Sequence, residues 1–214
     1  MSDNAIQVIE LSKRFGRHPV LDGVTFNIPR GQTIGLVGNN GSGKSVLLKC
    51  MCGLLIPSSG TVLINGKRLG KDIGSSPELG AVIEAPGFLP QRSGYANLKA
   101  LWGLNKRVPL AAVSEAMRRV GLDPHNRKRV GKYSMGMRQR LGIAQALMEN
   151  PSILLLDEPF NGLDKDGLRD MYALLRELRD SGITALIASH NPLDIAELCS
   201  TVYEIDAGRL AQVR

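Results

Sequence analysis

The first part of the chain alternates short apolar segments with glycines. The apolar segments are Ile6 to Leu11, Val24 to Ile28 and Thr33 to Val37. Each has the length and residue types of a β-strand, and the glycines between them are typical of turns. The pattern therefore predicts a β-rich beginning.

A helix and two further strands follow. From Lys44 to Cys52 the apolar residues recur at helical spacing, and Gly53 is a typical helix stop. Strands are predicted over Thr61 to Ile64 and Gly80 to Ile83, and we expect Asn65-Gly66, a strong hairpin signal, to connect this pair. The front of the chain is thus expected to form a mixed sheet.

The pattern changes to helices from Gly94 to about Asn150, and strands and helices alternate again after Pro151. The later elements are strand Ile153 to Leu156, helix Gly167 to Arg179, strand Ile183 to Ala188, a short helix from Pro192 and strand Val202 to Ile205. Such alternation predicts an α/β fold with a parallel sheet covered by helices, and residues of about 87–150 as a helical insert.

The composition is that of an ordinary globular domain. The 214 residues are 43% hydrophobic and 22% charged, which predicts a single domain over residues 1–214. The longest apolar stretches are far shorter than the roughly 20 residues that span a bilayer, and the first residues lack a secretion-signal pattern. The expected location is the cytoplasm, where the three cysteines would be buried thiols.

The net charge is positive. A formal charge of +7 suits an anionic partner such as a nucleotide, a nucleic acid or lipid head groups. The densest basic stretch, Arg127 to Arg129 with Lys132, has few aromatic residues nearby for base stacking. It is more typical of a solvated loop, so we expect no specific nucleic-acid site.

The strongest signal is a glycine-rich segment between a predicted strand and a predicted helix. It reads Gly38-Asn39-Asn40-Gly41-Ser42-Gly43-Lys44-Ser45 and fits the phosphate-loop pattern G-x-x-x-x-G-K-[ST]. In such a loop, backbone N–H groups and the helix N-terminus surround phosphate oxygens, and the lysine adds a charge. The segment is therefore the predicted nucleotide site, with the Ser45 hydroxyl as a ligand of Mg²⁺.

A second signal is the acidic pair Asp157-Glu158, which follows an apolar strand. Carboxylates at the C-terminal end of such a strand lie beside the phosphate loop. Adjacent residues on an extended segment point to opposite sides, so the two can take different roles. We expect Asp157 to hold Mg²⁺ through water and Glu158 to polarise the attacking water.

A third segment distinguishes among phosphate-loop families. It reads Tyr133-Ser134-Met135-Gly136-Met137-Arg138-Gln139-Arg140 and resembles the signature sequence of the ABC ATPases. The matching residues are Ser134, Gly136, Gln139 and Arg140, and the resemblance covers essentially the whole chain. Ser134 also suits the N-cap of the following helix, where its hydroxyl and the next N–H groups form an anion site.

The resemblance implies an architecture and an activity. The fold would be that of a P-loop NTPase with a RecA-like, mainly parallel sheet, an N-terminal antiparallel β subdomain and an inserted α-helical subdomain. The cofactors would be ATP and Mg²⁺. Two ATPase domains, expected to be two copies of this chain, would sandwich two ATP molecules, and the residues acting across the interface would be Ser134, Met135, Gly136 and Met137.

The family's remaining loops have counterparts here. Phe15 resembles the aromatic residue that stacks on adenine, and Asp164 lies in the segment that resembles the D-loop. His190 resembles the switch histidine and would stabilise the γ-phosphate in the transition state. With Lys44 and Glu158 it completes the predicted catalytic set.

Two segments depart from the family's usual pattern. In the signature, Tyr133, Met135 and Met137 replace the usual Leu, Gly and Gln, so Met135 stands where a residue without a Cβ is common. Glu84 stands where a glutamine is usual, and its carboxylate is predicted to ligate Mg²⁺. With Pro86-Gly87-Phe88 and the variant signature, Glu84 makes the chain most similar to the subgroup that exports antibiotics, lantibiotics and bacteriocin-like peptides.

The subgroup resemblance implies a partner. An integral membrane permease, encoded separately, would hold this subunit at the inner face of the cell membrane. Phe88 and Leu89 are candidate contacts with it, although packing inside the insert is an equal alternative.

Two other functions stay open at this point. A soluble ABC-type ATPase switch acting on nucleic acid or ribosomes is compatible with the basic charge. Such proteins usually carry paired ATPase domains or long coiled-coil insertions, and neither fits within 214 residues. A P-loop kinase would need an acceptor pocket and a lid, and it would leave the signature segment without a role.

Overall fold

We describe the protein from a computed structural model that covers residues 3–74, 76–85 and 87–214. The strands are β1 (Asn4–Phe15), β2 (His18–Pro29), β3 (Thr33–Val37), β4 (Ser59–Ile64), β5 (Lys67–Arg68), β6 (Leu79–Val82), β7 (Ile153–Asp157), β8 (Thr184–Ala188), β9 (Thr201–Asp206) and β10 (Arg209–Gln212). The helices are α1 (Lys44–Met51), α2 (Gly94–Asn105), α3 (Ala111–Arg119), α4 (Met135–Leu147), α5 (Lys165–Asp180) and α6 (Pro192–Leu198). A short 3₁₀ turn, Val130–Lys132, precedes α4.

The N-terminal strands form an antiparallel sheet in the order β2-β1-β4-β5. Asn65 and Gly66 form the predicted hairpin turn, with φ of 51° and 78°. The expected partner of this hairpin was wrong: the turn joins β4 to the short β5, whereas β6 belongs to the other sheet. A two-residue turn places the residues directly after it beside the preceding strand, so β4 pairs with the adjacent β5 and not with β6, which begins more than ten residues later.

The second sheet has six strands in the order β10-β9-β3-β8-β7-β6. All neighbouring pairs are parallel except β9 and β10. The prediction of a mainly parallel sheet beside an antiparallel β subdomain is therefore confirmed. Strand β10 was not predicted, because its sequence Arg-Leu-Ala-Gln is short and mostly exposed and lacks a strand-like apolar pattern.

The parallel sheet is covered on both faces, as β7 shows most clearly. Ile153 and Leu155 pack with α1 and the antiparallel sheet, whereas Leu154 and Leu156 pack with α4 and α5 on the opposite face. All four side chains are buried. Helices α2, α3 and α4 lie between β6 and β7 in the sequence, within the predicted insert.

This arrangement positions the functional segments. Strands β3, β7 and β8 are neighbours, and the phosphate loop, the acidic pair and the segment containing His190 follow their C-terminal ends. In parallel sheets that edge is where ligands bind. Within the described ranges, no helix combines the length and the apolar character needed to cross a bilayer.

Candidate active site

The glycine-rich loop runs from β3 into α1, as predicted, and its backbone requires glycine at particular positions. Gly38 has φ of 153°, and a Cβ there would lie 2.4 Å from the backbone oxygen of Ile205 and 2.8 Å from Ser42 Oγ. Gly43, the residue before α1, has φ of 113°. The chain therefore folds into a tight loop whose N–H groups belong to the N-terminus of α1.

Two polar side chains are buried inside this loop. Lys44 is only 6% exposed, and its Nζ donates hydrogen bonds to the backbone oxygens of Gly38 at 2.6 Å and Asn39 at 3.2 Å. The Ser42 hydroxyl is buried and, within the described part of the chain, has no hydrogen-bond partner. Buried donors without full partners are unfavourable unless an acceptor is present, and phosphate oxygens are strong acceptors.

Asp157 ends strand β7 and is 5% exposed. Burial raises the pKa of its carboxyl group, while hydrogen bonds from the Ser45 hydroxyl and the Glu84 backbone N–H oppose that change. A buried carboxylate beside a serine hydroxyl is the kind of oxygen donor set that Mg²⁺ prefers. The residues present thus fit the metal that the sequence predicted for Ser45 and Asp157.

Glu158 differs from the extended geometry that we expected for the acidic pair. The strand ends at Asp157, and Glu158 has φ of 49°, in the left-handed region. This turn brings its carboxylate to His190, where Oε1 accepts the backbone N–H at 3.0 Å and Oε2 lies 2.8 Å from Nδ1. The two predicted catalytic residues are therefore in direct contact.

A buried carboxylate that the sequence analysis missed holds the segment around His190. Asp194 is 5% exposed and accepts hydrogen bonds from Tyr172 Oη at 2.5 Å, Ser189 Oγ at 3.2 Å and Asn191 Nδ2 at 3.2 Å. These contacts connect α5 to the residues on both sides of His190. The signal in the sequence was Asn191 followed by proline, which predicts a helix N-cap but not the contact with α5.

The signature segment has the predicted helix cap. The Ser134 hydroxyl accepts a hydrogen bond from the Met137 N–H at 3.1 Å, and α4 begins at Met135. A Cβ at Gly136 would lie 2.7 Å from the backbone oxygen of Gly162, so α4 approaches the predicted D-loop backbone to backbone. The Met135 side chain packs against Gly162, which leaves room for it because glycine has no Cβ.

Asp164, in the predicted D-loop, has a structural contact of its own. Its Oδ1 accepts a hydrogen bond from the Gly167 N–H at 2.8 Å, which caps α5. This cap was not among the roles expected from the sequence. It fixes the end of the segment that packs against Gly136.

A cavity of about 380 Å³ brings most of these groups together. The lining residues predicted from the sequence are Asn40, Gly41, Gly43, Lys44, Ser45, Glu84, Met135, Asp157 and Glu158. Gln139 also lines it and donates from Nε2 to the backbone oxygen of Glu158 at 3.2 Å. The glycine-rich loop, three carboxylates and the helix of the signature segment therefore surround one space.

Some predicted residues lie outside this cavity or already have another partner. Phe15 ends β1, is 48% exposed and has Lys13 Nζ at 5.1 Å from its ring centroid, outside the lining of this cavity. Glu84 lines the cavity, but its Oε1 lies 2.5 Å from Lys49 Nζ. Pro86 lies outside the described residues. Phe88 is half-buried against the helical core, and Leu89 is 50% exposed.

Comparison with known proteins identifies close similarity to one family. A family model described as "ABC transporter" matches residues 21–161. The chain is 40% identical to an uncharacterized ABC transporter ATP-binding protein, YybJ, of Bacillus subtilis, with 96% of this chain and 94% of the relative covered. It is 36% identical to the bacitracin transport ATP-binding protein BcrA of Enterococcus faecalis, with 97% and 68% covered.

A third relative and two solved structures show similarity to the same family or to its fold. The lantibiotic transport ATP-binding protein SrtF of Streptococcus pyogenes is 31% identical, over 96% of this chain and 88% of the relative. An ATP-binding subunit of an ABC transporter superposes with a TM-score of 0.86 at 25% identity, covering 98% of this chain and 90% of the other. At 22% identity, the ATP-binding cassette MJ0796, described as a dimer bound to ADP and phosphate, shares the fold with a TM-score of 0.87 over 98% and 99% of the chains.

Proposed function

This chain belongs to the ABC transporter family as an ATP-binding ATPase, and we propose that it drives a separately encoded membrane permease that exports an antibiotic, a peptide or another small compound. The observation that carries the proposal is the cavity in which Lys44, Asp157 and Glu158 converge. The names of the bacitracin and lantibiotic relatives support the subgroup.

The residues around the cavity have separable roles in ATP hydrolysis. Lys44 and the loop N–H groups bind the β- and γ-phosphates. Ser45, Asp157 and Glu84 would hold Mg²⁺, which would supply positive charge to neutralise the phosphates. Glu158 accepts a proton from the attacking water, with its carboxylate held by the backbone N–H of His190. The His190 side chain contributes to the charge stabilisation of the transferred phosphoryl group.

A groove at the edge of the helical insert is suited to the permease. It has a volume of about 270 Å³, and its lining includes Leu54, Ile83, Ala85, Gly87 and Leu101. Leu54 is 72% exposed. The groove adjoins the segment after Glu84, so movement of that segment with ATP would reach a bound partner.

Pairing of two copies is part of the proposal. The signature residues Ser134 to Met137 would complete the ATP site of the other copy, and the dimeric structure of a cassette with the same fold supports this arrangement. Helix α4 begins at Met135, which is 56% exposed, and its first turn would present backbone N–H groups to a phosphate. Localisation at the inner face of the cell membrane follows from the permease partner.

ATP-driven dimerisation tests this arrangement. We expect purified Glu158→Gln with ATP and Mg²⁺ to double its mass in light scattering, because bound ATP that is not hydrolysed holds two copies together. Adding Gly136→Ala should weaken the dimer at least about 10-fold, since the new Cβ would lie 2.7 Å from the Gly162 oxygen and displace α4.

The matched control is Gly103→Ala in the same background. Gly103 lies in α2, and a Cβ there would meet no atom of the described residues within 4 Å, so the dimer should be unaffected. A protein that stays monomeric at all ATP concentrations would contradict the pairing of two identical copies.

A further inference from the structure

Glu84 and Lys49 form an ion pair beside the proposed Mg²⁺ site. Lys49 Nζ lies 2.5 Å from Glu84 Oε1. Glu84 is the residue that stands where the family usually has glutamine, so the ion pair neutralises a charge that the usual residue would not carry. No role for Lys49 was expected from its sequence context, where it is one of several polar residues of α1.

The geometry connects this lysine to the phosphate loop and to the metal ligands. Ser45 and Lys49 are four residues apart on α1 and so lie on the same face of that helix. The Ser45 hydroxyl donates to Asp157, and the backbone N–H of Glu84 donates to the same carboxylate. One face of α1 therefore contacts both carboxylates that the metal would use.

Fold stability does not explain the contact well. The side chains of Lys49 and Glu84 are 30% and 61% exposed, and ion pairs between such exposed side chains contribute little to stability. The ion pair also changes the charge that a ligand would meet, because Glu84 lines the cavity expected to receive a polyphosphate and a metal ion. Pairing with Lys49 lowers the repulsion between Glu84 and phosphate, and it also occupies a carboxylate oxygen that the metal would take.

We propose that Lys49 is a positioning residue for Glu84. Lys49 competes with Mg²⁺ for the Glu84 carboxylate and so sets how strongly nucleotide binding depends on Mg²⁺. The inference rests on the proposed Mg²⁺ site. It assigns Lys49 no direct contact with the reacting atoms. Its effect passes entirely through the Glu84 side chain.

The test measures nucleotide affinity rather than activity. The dissociation constant of a fluorescent ATP analogue is measured in excess Mg²⁺ and in EDTA. The constant in EDTA divided by the constant in Mg²⁺ gives the dependence of nucleotide binding on Mg²⁺. Lys49→Met should increase this ratio at least about 5-fold, corresponding to about 1 kcal/mol. In EDTA the freed Glu84 carboxylate repels the polyphosphate and weakens binding, whereas in Mg²⁺ it is available to the metal and strengthens binding. Both effects therefore increase the ratio.

The same substitution in a Glu84→Gln background is the decisive control. There the ratio should change less than about 2-fold, because the group on which Lys49 acts is gone. Lys49→Arg should keep the ratio of the unsubstituted protein. Thermal unfolding checks that each variant is folded, and the contact is exposed enough for the fold to tolerate its loss.

Three results would overturn the inference. An unchanged ratio in Lys49→Met, or an equal change in both backgrounds, would mean that Lys49 does not act through Glu84. If the unsubstituted protein binds the analogue equally in Mg²⁺ and EDTA, the proposed Mg²⁺ site itself fails. The last result is distinguishable from the others, because it requires no variant.

Discussion

Replacing Glu158 with glutamine is expected to lower kcat for ATP hydrolysis at least about 100-fold while ATP still binds. The amide cannot accept a proton from water, but its oxygen can still accept the His190 N–H that holds the side chain in the turned conformation. Phosphate release at saturating ATP gives kcat, and equilibrium titration of the same preparation gives the affinity. The expected result is a large change in the first quantity and a small change in the second.

Glu115→Gln is the matched control. Glu115 is an exposed carboxylate on α3 that pairs with Arg118, away from the cavity, so its loss should leave turnover unchanged. If Glu158→Gln retained turnover within about 10-fold of the unsubstituted protein, the proton acceptor would have to be a different group.

Replacing Lys44 with alanine is expected to lower the affinity for ATP at least about 100-fold, or about 2.7 kcal/mol. The side chain is buried inside the phosphate loop, and its ammonium group is held by the carbonyl oxygens of Gly38 and Asn39. The substitution removes a full positive charge from the position where phosphate oxygens would bind. Equilibrium titration with ATP and Mg²⁺ measures the effect.

Lys67→Ala controls for the loss of one positive charge from the protein. Lys67 is exposed on β5, in the antiparallel sheet, and its removal should change the affinity less than about 2-fold. Thermal unfolding in the absence of nucleotide shows whether Lys44→Ala is folded. Unchanged ATP affinity in a folded Lys44→Ala protein would contradict the assignment of the phosphate loop.

The parts of the site that the sequence predicted are those that local rules determine. The glycines of the phosphate loop require particular backbone angles, so the loop and the beginning of α1 at Lys44 were predictable. The N-cap role of Ser134 follows from its hydroxyl and its place before an apolar helix. Parallel strands followed from the alternation of apolar segments and helices.

The parts that were missed depend on contacts between distant segments. Nothing near Glu158 indicates its left-handed backbone, which brings it to His190, 32 residues later. The ion pair of Lys49 with Glu84 joins residues 35 apart in the chain, and a helix pattern does not reveal which acid a lysine meets. Asp194 was likewise ordinary in sequence, because its burial depends on Tyr172 in another helix.

The most direct test of the proposed function is to identify what binds this subunit in the membrane. Tagged Glu158→Gln is expressed in its native cell, the membranes are solubilised gently with ATP and Mg²⁺, and the proteins that co-purify are identified by mass spectrometry. Leu54→Glu, which places a charge in the groove beside the helical insert, is compared with Val213→Glu, a charge at another exposed position.

We predict that an integral membrane protein co-purifies with the tagged subunit, and that Leu54→Glu reduces its recovery at least about 10-fold whereas Val213→Glu does not. Recovery solely from the soluble fraction, with ribosomes or nucleic acid attached, would contradict the transporter function and would leave the ATPase chemistry with a different partner.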